Sequence, residues 1–221
     1  HIYLFAPVHF REREIGYLIL ENCDYLTEHQ FLFETLNTFA TAIEALYGKL
    51  ILRKKTKQLS QLYIHDSLTG LYNRMAYEKL ALPLFQKCMD ESRSVGILFI
   101  DADHLKYIND NFGHDMGNLA ISNIASVIQS HCPLTTIAMR YGGDEYVCVI
   151  PDADQKRLML LEQQITDSLS VLSENNLFDI PIEASIGFVI ADNPELSLND
   201  YINFADEKMY ASKKARRAAR K

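Results

Sequence analysis

Tryptophan is absent from the 221 residues, and cysteine occurs only four times, as Cys23, Cys88, Cys132 and Cys148. No two cysteines have Cys-x-x-Cys spacing and no histidine pair is spaced for zinc, which argues against a zinc module or a disulfide-stapled mini-protein. Buried thiols in a reducing, cytoplasmic setting are the expectation. Nine glycines and six prolines are too few for a collagen-like chain. A composition 48% hydrophobic and 23% charged is too apolar for a mostly disordered one. No apolar run reaches the roughly 18 residues that a membrane span requires, so no membrane contact is expected. No signal peptide is evident, and the chain opens at His1 without an initiator Met, as a piece of a longer protein would.

Positive charge is scarce until the end. Six of the 22 basic residues crowd the last nine positions, so the 212 residues before them carry 16 basic against 29 acidic groups, a net of −13. Binding phosphate backbones needs a basic face, and no aromatic stacking platform accompanies the basic tail, so nucleic acid is not an expected partner.

The pattern along the chain predicts strands over residues 2–10 and 15–20, with a charged turn at Glu12 to Glu14. A long helix is expected over 27–64, opened by a capping box of Thr27 and Gln30. Leu32, Leu36, Phe39, Ile43, Leu46 and Leu50 step by 4, 3, 4, 3, 4, a heptad seam. The seam breaks at Arg53-Lys54-Lys55 and resumes at Leu59 and Leu62. So long and narrow a stripe favours a parallel dimer helix over one packed on its own domain. After a loop at 66–71, helices are expected at 73–90, 116–131, 153–175 and 198–217. Strands are expected at 95–100, 135–140, 145–150 and 182–190. The order βαββαβ is ferredoxin-like, an α+β class with a mostly antiparallel sheet and helices on one face.

Four segments could carry chemistry. Asp101 and Asp103 end an apolar strand on the same side, since strand side chains alternate. Two carboxylates there suit a hard cation that takes phosphate oxygens for its remaining ligands; a solvated strand end is the plain alternative. Tyr141-Gly142-Gly143-Asp144-Glu145 reads as a hairpin turn whose glycines permit positive φ. In a ferredoxin-like sheet that hairpin neighbours the first strand, so Asp101 and Asp144 could share one metal. Lys106 to His114 reads as a polar loop, with Asn109 able to offer both donor and acceptor to a purine edge. Lys213 and Arg217, spaced i, i+4, share a helix face and could clamp a polyphosphate or simply stabilise the helix C-terminus.

Taken together, the segments Asp66 to Arg74 (DSLTGLYNR), Asp101 to Lys106 (DADHLK), Asn109-Asp110, Gly113-His114, Arg140 to Glu145 (RYGGDE), Ser185 to Gly187 (SIG) and Ala205-Asp206 with Tyr210 and Lys213 resemble the GGDEF family of diguanylate cyclases. The resemblance covers about 70% of the chain, 66–217, and places the domain at 65–221. Residues 1–64 resemble, more loosely, the last two strands and exit helix of a GAF-type sensor domain.

The resemblance implies condensation of two GTP into cyclic di-GMP with release of two pyrophosphates, across a homodimer joined through the sensor fragment and long helix. By position, Asp101, the Ala102 carbonyl and Asp144 would bind Mg²⁺ or Mn²⁺, and Glu145 would complete the site or assist deprotonation. Asn109 and Asn118 would read guanine. Lys106, Lys213 and Arg217 would hold the outer phosphates, with His114, Gly142 and Gly143 also lining the GTP site. The chain departs from the family at Asn118, where Asp is usual, and this weakens the expected hold on guanine. Tyr146 replaces Phe, which its ring can match if the hydroxyl finds a partner. Leu105 replaces Phe and Arg216 replaces Gly. Pro133 and Thr136 stand where an inhibitory Arg-x-x-Asp would begin and end, so no feedback inhibition through that site is expected. A non-catalytic GTP-binding module and a cyclase with relaxed purine choice are the competing readings.

Overall fold

The computed structural model describes residue 1 and residues 3–10, 13–22, 29–175 and 181–219. It divides into two compact units, His1–Leu62 and Tyr63–Lys221.

In the first unit β1 (Tyr3–Phe10) pairs antiparallel with β2 (Arg13–Glu21), with a register shift between Val8 and His9. The strand starts earlier than its pattern suggested: Arg13 and Glu14 belong to β2 rather than to a turn, while Glu12 lies outside the described residues. Alternation places Tyr3 and Phe5 of β1, and Tyr17 and Ile19 of β2, in exposed positions. Helix α1 (His29–Ile64) has 36 residues, about 54 Å at 1.5 Å each. Of the heptad seam, Phe39, Leu46 and Leu50 are more than half exposed. The capping Thr27 and the side chains of Leu32, Leu36, Leu59 and Leu62 lie outside the described ones.

The second unit is a five-stranded sheet in the order β3-β5-β6-β4-β7. Its strands are β3 (Tyr72–Asn73), β4 (Val95–Ala102), β5 (Ile137–Arg140), β6 (Glu145–Pro151) and β7 (Ala184–Ala191). β4 pairs antiparallel with β6 and β7, and β5 with β6, while β3 adds a short parallel edge on β5. This is the ferredoxin-like order with one extra edge strand.

Helices cover both faces of the sheet, not one. On one side α4 (His114–His131) and α5 (Gln155–Asn175) pack Ile121, Ile124, Ile128, Leu158 and Ile165 against Leu98, Ile100, Tyr146 and Cys148. On the other, α2 (Leu82–Asp90) and α6 (Leu198–Ala219) pack Phe85, Leu198, Ile202 and Met209 against Ile97, Phe99, Val147 and Val149. The reason is visible in Val95 to Ile100, an unbroken apolar run that is fully buried. Alternation would suffice for a strand with one wet face; a continuous run belongs to one covered twice. Each buried Leu, Ile or Phe contributes roughly 1.5–3 kcal/mol.

Two further segments differ from their patterns. The stretch expected as one helix over 73–90 begins as β3, passes through a single π-helical turn (Tyr77–Ala81) and becomes α2, with Pro83 in its first turn. The polar loop expected at 106–114 is helix α3 (Leu105–Phe112), opened by His104 at φ +62° and broken from α4 at Gly113. Ile108 is its buried anchor; the polar residues between face outward, as on any short amphipathic helix. Gly187 lets α6 cross β7 at backbone contact, because a Cβ there would meet the main chain of Ala205 and Met209. That close crossing carries Lys213 to the exit end of β4.

Candidate active site

The antiparallel register of β4 and β6 sets Asp101 opposite Glu145. One residue on, the Ala102 N–H donates to the Asp144 carbonyl at 2.9 Å. Carboxylates 43 positions apart in sequence therefore meet at one end of the sheet. Burial pushes the Asp101 carboxyl up; the Lys213 ammonium opposes that, and Asp144 and Asp103 add to it. Glu145 is raised as well, first by burial and then by Asp144, Asp101 and Asp206, against the opposing charge of Arg74. Like charges repel across low-dielectric space.

The turn that delivers Asp144 is stapled from outside. Arg140 donates from Nε and Nη2 to the Gly143 carbonyl at 3.1 and 2.7 Å and from Nη1 to the Asp66 carboxylate at 3.3 Å. Burial pushes Asp66 up, but hydrogen bonds from Thr69 and the Arg140 charge outweigh it and hold the carboxyl below its ordinary range. The segment Tyr141 to Glu145 does turn β5 into β6 as a hairpin, but neither Gly142 nor Gly143 takes the positive φ that glycine permits. Gly142 instead provides room: the Glu145 carboxylate occupies the place a Cβ would need, while a Cβ on Gly143 would meet nothing.

Lys213 answers the acidic end. Its ammonium bonds Asp101 and also lies 2.9 Å from Asp103. Asp103 is almost wholly buried and accepts the Ser185 hydroxyl at 2.7 Å. Arg216 donates to Ser185 Oγ at 2.5 Å and approaches Asp103 to 3.8 Å. Asp103 was expected beside Asp101 as a carboxylate suited to a cation, and instead it is held by Lys213, Ser185 and Arg216; Ser185, Arg216, Asp206 and Arg140 were not among the sequence-expected site residues. Arg140, Ser185 and Asp206 do lie in the segments that carried the resemblance, but with no role attached.

Lys106 is exposed on α3, His114 in the first turn of α4 and Asn118 in its second, and Asn109 is half-buried. The Asn109 amide lies over Gly117, where a Cβ would displace it. These four residues form the α3–α4 corner directly after β4, separate from the acidic group itself. Arg217 is on α6, with its side chain outside those described. Leu105 packs at the edge of the core. Tyr146 is fully buried, and its hydroxyl donates to the Ile121 carbonyl at 2.8 Å, the partner its ring required. Pro133 and Thr136 line a cavity of about 210 Å³ with His65, Tyr72, Gln129 and Cys132.

Among the described residues no three His, Cys, Asp or Glu side chains are arranged to hold a metal by themselves. Two carboxylates beside a backbone carbonyl do fit an ion such as Mg²⁺, which keeps few protein ligands and takes phosphate oxygens for the rest. The raised carboxyls of Asp101 and Glu145, each beside the Asp144 charge, mark a place short of positive charge. No described helix is long and apolar enough to cross a membrane.

Comparison with known proteins bears on this arrangement. Residues 63–219 match the family model described as diguanylate cyclase, GGDEF domain. The probable diguanylate cyclase DgcC of Escherichia coli K12 is 29% identical over 167 residues, covering 75% of this chain and 45% of that protein. DgcJ of the same organism, also named a probable diguanylate cyclase, is 32% identical over 71% of this chain and 31% of its own length. The chain thus spans less than half of these curated relatives. The GGDEF domain of DgcB from Caulobacter crescentus, solved in complex with c-di-GMP, superposes with a TM-score of 0.61 at 26% identity, covering 69% of this chain and 91% of that one. A longer DgcB structure with its coiled coil gives 0.68 at 23% identity, over 80% and 95%.

Proposed function

The chain belongs to the GGDEF diguanylate cyclase domain family, and from that premise we propose that it condenses two GTP into cyclic di-GMP, releasing two pyrophosphates. The observation that carries this reading is the register of β4 on β6, which gathers Asp101, Asp144 and Glu145 at one strand end. Asp101, Asp144 and the Ala102 carbonyl would hold Mg²⁺ or Mn²⁺. Such an ion, when bound, lowers the pKa of an attacking oxygen and stabilises a leaving one.

The chain's own groups do the positioning. Lys106, Lys213 and Arg217 bind the outer phosphates, and Lys213 leaves Asp101 to do so. Gly142 and Gly143 let the phosphates approach the turn, with His114 at the rim. Asn109 and Asn118 read the base from the α3–α4 corner. Glu145, reluctant to ionise where it sits, accepts the 3′-hydroxyl proton. The 3′-oxygen of one GTP then bonds the α-phosphorus of the other, and the α–β phosphoanhydride bond breaks.

One copy holds one GTP, so the reaction needs two copies face to face. The exposed Phe39, Leu46 and Leu50 of α1 suit a parallel homodimer, and residues 1–64 are read as the end of a GAF-type sensor that biases it. A second reading, relaxed purine choice, is favoured by Asn118, whose neutral amide is roughly half as strong an acceptor as a carboxylate.

Incubating the concentrated protein with Mg²⁺ and GTP, ATP or both, and identifying products by mass spectrometry, tests the reading. Cyclic di-GMP is expected; GTP binding without product would assign a non-catalytic module instead. Asn118→Asp should raise the GTP/ATP product ratio, and an unchanged ratio would remove Asn118 from base reading.

A further inference from the structure

The last turns of α6 carry a cation for which the nucleotide reading has no use. Arg216 stands next to Arg217, where glycine is usual in the family. Its guanidinium donates to Ser185 Oγ at 2.5 Å and reaches Asp103 Oδ2 at 3.8 Å. Ser185 is fully buried, and its hydroxyl donates to that same Asp103 oxygen at 2.7 Å. The other oxygen of Asp103, Oδ1, takes the Lys213 ammonium at 2.9 Å. Asp103 is thus held on both oxygens, in a nearly closed environment.

Resting on the reading that Lys213 serves the triphosphate, we propose that Arg216 is a positioning residue for Lys213. With Ser185 it locks Asp103, and Asp103 holds the Lys213 ammonium beside the strand end. When cation and nucleotide enter, Asp101 turns to the cation and Lys213 exchanges that partner for phosphate oxygens. It keeps Asp103 as a pivot, because Asp103 is fixed by the Ser185 hydroxyl and the nearby Arg216 charge while Asp101 has no partner but Lys213 among the described side-chain contacts. A lysine is a point charge on a flexible four-carbon stem, so an anchored carboxylate decides where its charge dwells. Groups that orient a metal's ligands from behind typically contribute 10- to 100-fold to affinity, and the lower end of that range is expected for a group that orients a single lysine. The Arg216 side chain is itself 41% exposed, so its role in packing is small.

Calorimetry with a non-hydrolysable GTP analogue plus Mg²⁺, and with GMP, separates this from a merely structural role. Arg216→Ala should weaken the triphosphate analogue about tenfold and leave GMP, which lacks the outer phosphates, unchanged. Arg216→Lys should recover part of the loss. In a Lys213→Ala background, Arg216→Ala should add nothing further, since residues acting through one another are not additive. Ser185→Ala, which cuts the same link from the sheet side, should reproduce the loss. Equal weakening of GMP, full additivity with Lys213→Ala, or unchanged affinity in both Arg216→Ala and Ser185→Ala overturns the assignment. A wild-type protein that binds no analogue overturns the nucleotide reading itself, and this inference with it.

Discussion

The two ends of strand β4 solve the problem of charge in opposite ways. At the entry end, beside Val95, Arg93 bonds Asp152 through two nitrogens at 2.7 and 2.5 Å and Glu91 at 2.8 Å. All three reach solvent, and one guanidinium is shared between the two carboxylates at little cost. At the exit end, Asp101 and Asp103 share Lys213, with Arg216 beside Asp103, and burial with the charges of Asp144 and other nearby acids pushes the Asp101 and Glu145 carboxyls up. A fold selected for stability alone has no need to concentrate like charge where water is scarce. Such a concentration marks a place shaped to receive a cation.

The sharpest test of the contrast sets Asp144→Ala against Asp152→Ala. Asp144→Ala should lower product formation ~100-fold or more without lowering the thermal midpoint, because it relieves repulsion on Asp101 and Glu145. Asp152→Ala should leave product formation unchanged and lower the midpoint slightly. A destabilised Asp144→Ala protein would mean that the exit-end charges are balanced after all.

Next in size is the glycine pair of the turn. Gly142→Ala forces the Glu145 carboxylate from its seat, whereas Gly143→Ala meets open space. Turnover should fall about tenfold or more in the first, as expected when a catalytic group is misplaced, and change little in the second. Similar effects in both would make the pair a simple flexible turn.

A smaller effect concerns pH. The folded-state pKa of Glu145 is raised, so its protonated form contributes stability at low pH that is lost as pH rises through that folded value. Glu145→Gln retains that contribution. The variant should therefore be the more stable at about pH 7.5, and the gap should close by about pH 4, below the ordinary glutamate value. Denaturant midpoints at the two pH values report it; a gap that widens on acidification reverses the sign.

Smallest is Tyr146→Phe, which removes the bond to the Ile121 carbonyl and should cost about 1 kcal/mol by denaturant unfolding, with product formation retained.

Much of this molecule was legible before folding. The order of the four longer strands, the first residues of β4 and β6 and the convergence of Asp101 with Asp144 follow from patterns of two and of 3.6 residues, plus one topological rule. The misreadings share a cause. Lys106 to His114 looked like a loop because Leu105, which with Ile108 anchors the helix, falls just before that stretch, and polar residues outnumber apolar ones within it. Helices were expected on one face because α2 and α6 lie outside the βαββαβ core; the unbroken apolar run of β4 pointed the other way.

What the linear chain determined by itself is which groups stand at strand ends and which side chains seek shelter, since periodicity and turn chemistry are local. Only the tertiary structure decided what Gly142 is for, that Tyr146 finds a carbonyl, and that Asp103, Ser185 and Arg216 close on one another. Apart from Gly142 and Glu145, three positions apart across a turn, those are contacts between residues 25 to over 100 positions apart, where the distance of a few ångströms that gives a charge or hydroxyl its meaning is set by packing, and no local pattern encodes it.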